Sequence, residues 1–153
     1  MANPISTDDN PESIKAIKRV IFICTGNSCR SQMAEAIINH KLSDKWKAYS
    51  AGTQPTGRVH PLVNTVLEEI GISCKGRSKT IDEFYDVEFD LVITVCDDAA
   101  EKCPLWLGKG IRAHAGFPDP AKEEGTSQEI LAAFRQVRDD IMKKIPALLD
   151  FYY

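Results

Sequence analysis

No stretch of this chain approaches the roughly 18 consecutive apolar residues that a membrane-spanning helix needs. No apolar segment leads the N-terminus either: the first residues are polar and carry proline, so a cytoplasmic location is expected. Basic runs are also missing. Nineteen Lys and Arg stand against 22 Asp and Glu, for a net charge of −3. A mildly acidic chain without a basic patch has no electrostatic footprint for nucleic acid or an anionic membrane, and neither is expected as a partner. Internal repeats and low-complexity segments are absent. Cysteines are few and odd in number, five in 153 residues. A chain of this length buries enough core to hold together without staples, so these are expected to be reduced thiols with chemical tasks.

What is present is one loop on which the remainder depends. Val20-Ile21-Phe22-Ile23 runs straight into Cys24-Thr25-Gly26-Asn27-Ser28-Cys29-Arg30-Ser31, and an amphipathic segment follows. That order predicts a buried parallel strand, a tight loop and a helix N-terminus. Gly26 lets the loop curl so that successive backbone N–H groups of Thr25, Gly26, Asn27, Ser28 and Cys29 face one spot, to which the helix start adds its positive end. Arg30 contributes a planar fork of donors suited to a tetrahedral oxyanion. What stabilises an anion there also stabilises a thiolate at Cys24, and Ser31 is placed to add a hydroxyl hydrogen bond. The plainer alternative is a buried strand-end cysteine followed by an ordinary helix-start charge. The glycine, the helix start and the arginine at this spacing together favour the anion cradle.

The remaining pattern alternates strands and helices. Strands are expected at about 19–23, 46–50, 91–95 and, more weakly, 111–117. One helix carries Met33, Ile37 and Ile38 inward, and a second opens at Pro61 and stops at Gly71. The last begins at a capping box of Thr126 and Glu129, with Pro146 expected to kink or end it. Residues 1–17 read as a flexible tail and 18–153 as a single α/β domain, a four-stranded parallel sheet flanked by helices on both faces. Ligands of such sheets bind beyond the carboxyl ends of the strands. Cys24, Cys96 and Asp119 each follow a strand and should converge there.

A second cluster lies at Cys96-Asp97-Asp98-Ala99-Ala100-Glu101-Lys102-Cys103-Pro104. If the intervening segment is helical, the two cysteine Cα atoms stand about 10.5 Å apart. A disulfide tolerates no more than about 7 Å, so the pair bonds only if the helix loops out. The alternative is that Cys96 packs under the sheet edge and Cys103 is incidental. Zinc held by Cys24, Cys29, Cys96 and Cys103 is disfavoured, because the gaps fit structural zinc sites poorly and Arg30 repels a cation. No metal is expected.

The C-x5-R-S loop resembles that of the low-molecular-weight protein tyrosine phosphatase superfamily, and Cys24-Thr-Gly-Asn-Ser-Cys-Arg-Ser-Gln-Met-Ala-Glu35 is closer to its thioredoxin-coupled arsenate reductase branch. The C-x6-C-Pro at Cys96, Cys103 and Pro104, the Gly116-Phe117-Pro118-Asp119-Pro120-Ala121 stretch, Tyr49-Ser50-Ala51-Gly52 and Arg138-Asp139 extend the similarity over residues 20–145. The resemblance implies a phosphotyrosine phosphatase I-like fold and reduction of arsenate to arsenite, with phosphate or sulfate as analogues. It makes Cys24 the attacking thiolate, with Arg30 and the loop amides binding the oxyanion and Ser31 supporting the thiolate. Asp119 becomes the general acid, and Cys96 and Cys103 the relay and resolving thiols. Electrons would come from thioredoxin or a similar thiol donor to a monomer with no bound cofactor.

Some members of that branch hold potassium beneath the loop through Asn, Glu, Ser and Asp. Asn27, Glu35 and Ser50 match, but Lys79 stands at the last position, where its ammonium is expected to replace the ion. His114-Ala115-Gly116-Phe117 departs from the usual His-Trp-Gly-Phe, and Pro118 replaces an acidic neighbour of Asp119. His114 is expected to be packed or hydrogen-bonded, Cys29 to pack within the loop and Cys74 to act as a small buried hydrophobe. Two rivals share the loop. A low-molecular-weight phosphotyrosine phosphatase would use Cys24, Arg30 and Asp119 but needs neither Cys96 nor Cys103. A non-catalytic oxyanion-binding or redox-sensing module would not need Asp119-Pro120.

Overall fold

Val20, Ile21, Phe22 and Ile23 have no polar side chain among them, which suits a strand covered on both faces. In the computed structural model, which describes residues 16–97 and 108–153, they form the middle of β1 (Lys18–Cys24) and are at most 1% exposed. β1 pairs in parallel with β2 (Trp46–Gly52) on one side and β3 (Leu91–Thr94) on the other. β4 (Ile111–His114) adds to β3, also parallel, for a strand order of 2-1-3-4. The expected fold class is the one observed.

The alternating side chains of β1 divide the core in two. Val20, Phe22 and Cys24 face the side where α1 (Arg30–Lys41), α2 (Pro61–Glu68) and α3 (Ser127–Tyr152) pack, against Met33, Ile37, Leu67, Phe134 and Ile141. Ile21 and Ile23 face the other side with Ala51 and Val92, under the 3₁₀ helix Ile81–Phe84 and the ring of Phe89. Among the described residues no helix is long and apolar enough to cross a membrane.

Two boundaries differ from the sequence reading, and both differences bear on the site. β2 continues through Gly52, which pairs with Cys24. β4 ends at His114, yet Ala115 N and Phe117 N still donate to Thr94 O and Val95 O, carrying the chain past the end of β3 towards Asp119.

Thr126 and Glu129 form the expected capping box of α3. Pro146, however, does not end that helix, which runs on to Tyr152. The buried stripe continues through Ile145 and Leu149 on either side of it, and Lys18 Nζ donates to Tyr152 O and Tyr153 O at the far end. Tertiary packing thus outweighs the one hydrogen bond that proline forfeits.

α2 is tied to α3 by Glu69, which accepts from Arg135 and Arg138, while Arg138 Nη1 also donates to Val66 O. The Arg135 hydrogen bond, followed by that of Arg138, holds the Glu69 carboxyl at about 2 instead of 4.5. A depressed carboxylate stabilises the fold above its unfolded value and loses that contribution as pH falls through its folded one. Thermal melts between pH 4.5 and 2 are therefore expected to fall more steeply for the wild type than for Glu69→Gln. Equal slopes would contradict this.

Gly52 admits no side chain, because a Cβ there would stand 2.4 Å from Thr25 O and 3.0 Å from Asn27 N. Gly52→Ala is expected to cost about 1–3 kcal/mol, as overpacking usually does, and to displace the Cys24 loop. Urea unfolding checks the first effect and phosphate binding the second.

Candidate active site

An anion cradle must turn its amides inward, and in a trans peptide each inward N–H requires the preceding carbonyl to point outward. The loop after β1 meets that condition. Thr25 O accepts from Gln54 N, Gly26 O from Thr56 N and Ser78 Oγ, Asn27 O from Gln32 Nε2, and Ser28 O from His60 N. The N–H groups of Gly26, Asn27, Ser28 and Cys29 are thereby directed inward, and Cys29 O opens α1 by accepting from Met33 N. Asn27 has φ +47°, a left-handed conformation that asparagine tolerates better than most residues.

Cys24 Sγ sits at the floor of this loop, 1% exposed. Asn27 N donates to it at 3.3 Å, and Ser31 Oγ lies at 3.0 Å. Asn27 Nδ2 donates into the same Ser31 oxygen at 2.8 Å, which leaves the Ser31 hydrogen to point at the sulfur. Two donors aimed at one sulfur suit a thiolate nucleophile. Arg30, 3% exposed, donates from Nη1 to Phe117 O at 3.2 Å, and its Nη2 is 3.6 Å from Asp119 Oδ2. Asp119 Oδ1 accepts from Ala121 N, so the carboxylate is held by its own turn while facing the arginine. Cys24, Cys29, Arg30 and Asp119 line one cavity of about 360 Å³. Cys29 is a neutral thiol there. Burial above all, then the Asp119 charge, pushes it up to about 12.

Cys96 lies two residues beyond β3, beside the end of β1. Thr94 pairs with Ile23, and Val95 N donates to Ile23 O. It is fully buried and disulfide-bonded, whereas Cys24, Cys29 and Cys74 are free. Cys103 and Pro104 lie outside the described residues. The expected convergence of Cys24, Cys96 and Asp119 at the carboxyl edge of the sheet is thus present in the fold.

Beneath the loop, the Lys79 side chain is only 9% exposed, with Nζ 3.3 Å from Ser50 Oγ, 3.7 Å from Glu35 Oε1 and 2.9 Å from Arg77 O. Ser50 donates to the same Glu35 oxygen. Burial draws the lysine below its usual value, and Glu35 opposes that shift. The ammonium thus lies against Ser50 and Glu35, two of the residues named above for the ion. The lysine reaches Asn27 through its backbone N–H, at 2.9 Å from Oδ1, and not through its charge.

Several contributors were not evident from sequence. Gln32 holds Asn27 by both O and Oδ1 and also donates to Arg77 O. The segment carrying Gln54, Thr56 and His60 straps the outside of the loop, and Thr56, Arg58 and His60 line the cavity. The only signal was His60-Pro61 as a helix start; the contact with the loop is tertiary. His114 is exposed and bonds Thr94 Oγ1 through Nδ1, so of the two expectations it is hydrogen-bonded and not packed, and Cys74 is half-buried, its thiol raised by burial.

The pattern of the low molecular weight phosphotyrosine protein phosphatase family matches residues 19–151. The arsenate reductase of Halalkalibacterium halodurans is 48% identical over 129 residues, spanning 84% of this chain and 92% of that protein. A solved arsenate reductase in the phosphate binding state superposes with a TM-score of 0.70 at 29% identity, over 90% of this chain and 100% of that one. The thioredoxin-dependent arsenate reductase of Corynebacterium glutamicum gives 0.57 at 28% identity, over 88% and 64%. With its cysteine loop at the edge of a parallel sheet and these likenesses over most of its length, the chain belongs to the low molecular weight phosphotyrosine protein phosphatase family.

Proposed function

We propose that this chain reduces arsenate to arsenite through a relay of Cys24, Cys96 and Cys103. The observation that carries the reading is a second thiol residue, Cys96, buried at the end of the strand beside Cys24, a feature for which phosphate ester hydrolysis has no use. Arsenate sits in the loop with its charge on the inward amides and Arg30. The Cys24 thiolate forms a bond to arsenic as one hydroxyl departs, and Asp119 delivers the proton that makes it water. Cys96 then attacks the Cys24 sulfur. The arsenic–sulfur pair stays with arsenic, which leaves as arsenite, and a Cys24–Cys96 disulfide remains.

Cys103 attacks Cys96, releasing the Cys24 thiolate and leaving a Cys96–Cys103 disulfide that an external dithiol reduces. Relatives named arsenate reductase support the substrate, and the thioredoxin-dependent neighbour supports thioredoxin as the donor.

In an assay coupling NADPH oxidation to thioredoxin reductase and thioredoxin, the wild type is expected to turn over arsenate repeatedly, Cys103→Ala to stop near one equivalent, and Cys24→Ser to do nothing. Absence of arsenate-driven oxidation, with aryl phosphate hydrolysed equally by wild type and Cys103→Ala, would leave a phosphatase instead. Lys79 in the cation's place gives a further expectation: arsenate turnover is the same in potassium and sodium buffers of equal ionic strength. A several-fold stimulation by potassium would show that the lysine does not substitute for the ion.

A further inference from the structure

His60 is fixed more firmly than a surface histidine needs to be. Its backbone N donates to Ser28 O at 3.1 Å, its ring stands 4.7 Å from that of the buried Phe134, and its Nδ1 accepts from Leu62 N at 3.1 Å as the cap of α2. With Nδ1 committed as an acceptor, the single proton of the neutral ring is on Nε2. His60 lines the same cavity as Cys24, Arg30 and Asp119. Burial and the neighbouring Arg58 keep the imidazole below its ordinary value despite the opposing pull of Asp119, so it is neutral at pH 7. A neutral N–H donor of fixed direction is therefore carried by a residue that lines the site.

We infer that His60 is a substrate-binding, specificity-determining residue, donating from Nε2 to the oxyanion oxygen that projects out of the loop towards Asp119. This rests on the proposed arsenate reading only for the identity of the substrate. Any tetrahedral oxyanion that places three oxygens among the loop amides leaves one outside, and that oxygen is the one that departs with the Asp119 proton. Negative charge grows on it during departure, where a fixed donor helps most. An ester oxygen is a weaker acceptor, so His60 favours inorganic oxyanions over phosphate monoesters.

His60→Asn separates this role from capping, because asparagine accepts a helix-start N–H as well as any residue but offers no donor at the Nε2 position. The variant keeps the cap but loses the ring's contact with Phe134, so its Tm is expected to fall less than that of His60→Ala. Its kcat/KM for arsenate is expected to fall about tenfold, and its Kd for inorganic phosphate to rise by a similar factor, the size of one lost hydrogen bond to a charged group. Hydrolysis of an aryl phosphate should change less. His60→Ala, which loses the cap as well, is expected to lower Tm further. Wild-type phosphate affinity in His60→Asn would overturn the inference and reduce His60 to a cap. Failure of the wild type to reduce arsenate would count against the arsenate reading, while the phosphate Kd of the variant would still decide the role of His60.

Discussion

The outward carbonyls of residues 25–28 are the constraint on which the rest of the structure depends. Leaving one such group unsatisfied within the fold costs about 1–3 kcal/mol, and turning it inward would place an acceptor where an anion must bind. Each is met by a donor from outside the loop: the strap at Gln54, Thr56 and His60, Ser78 beyond α2, and Gln32 in the first turn of α1. The loop is preorganised because segments distant in sequence converge on its outer side. Gly52 shows how little slack remains, since even a methyl group there would collide with Thr25 O.

The same arrangement links fold to chemistry at Asn27. Its left-handed backbone turns the loop, its N–H reaches the Cys24 sulfur, and its amide nitrogen orients the Ser31 hydroxyl. Its Oδ1 is held from below by Gln32 and the Lys79 backbone, and the Lys79 ammonium neutralises Glu35 under the sheet edge. The nucleophile is thus set by hydrogen bonds that pass through one buried amide. Perturbing Gln32 or Lys79 reaches Cys24 without touching it.

Much of this was legible in the sequence because it is local. A continuous apolar run ending in Cys24, a glycine two residues on and an arginine at the sixth position are enough for strand, cradle and helix start. The parallel order follows from alternating strands and helices, and the meeting of Cys24, Cys96 and Asp119 follows from the rule that such sheets bind at their carboxyl ends. What was not legible is tertiary. Nothing in Gln54, Thr56 or His60 announces that their amides satisfy loop carbonyls, and Gln32 reads as an ordinary helix-start residue. Pro146 does not end the helix because the burial of Ile145 and Leu149, which local breaker chemistry leaves out, carries it through.

The most direct measurement is a single-turnover thiol count. Fully reduced protein is mixed with one equivalent of arsenate and no reductant, then denatured and titrated for free thiols while arsenite is quantified. Two of the five thiols should disappear per arsenite formed, as one two-electron reduction by a dithiol requires, and Cys24→Ser should lose none. An unchanged thiol count with no arsenite would contradict the relay and leave the cradle as a site for phosphate chemistry alone.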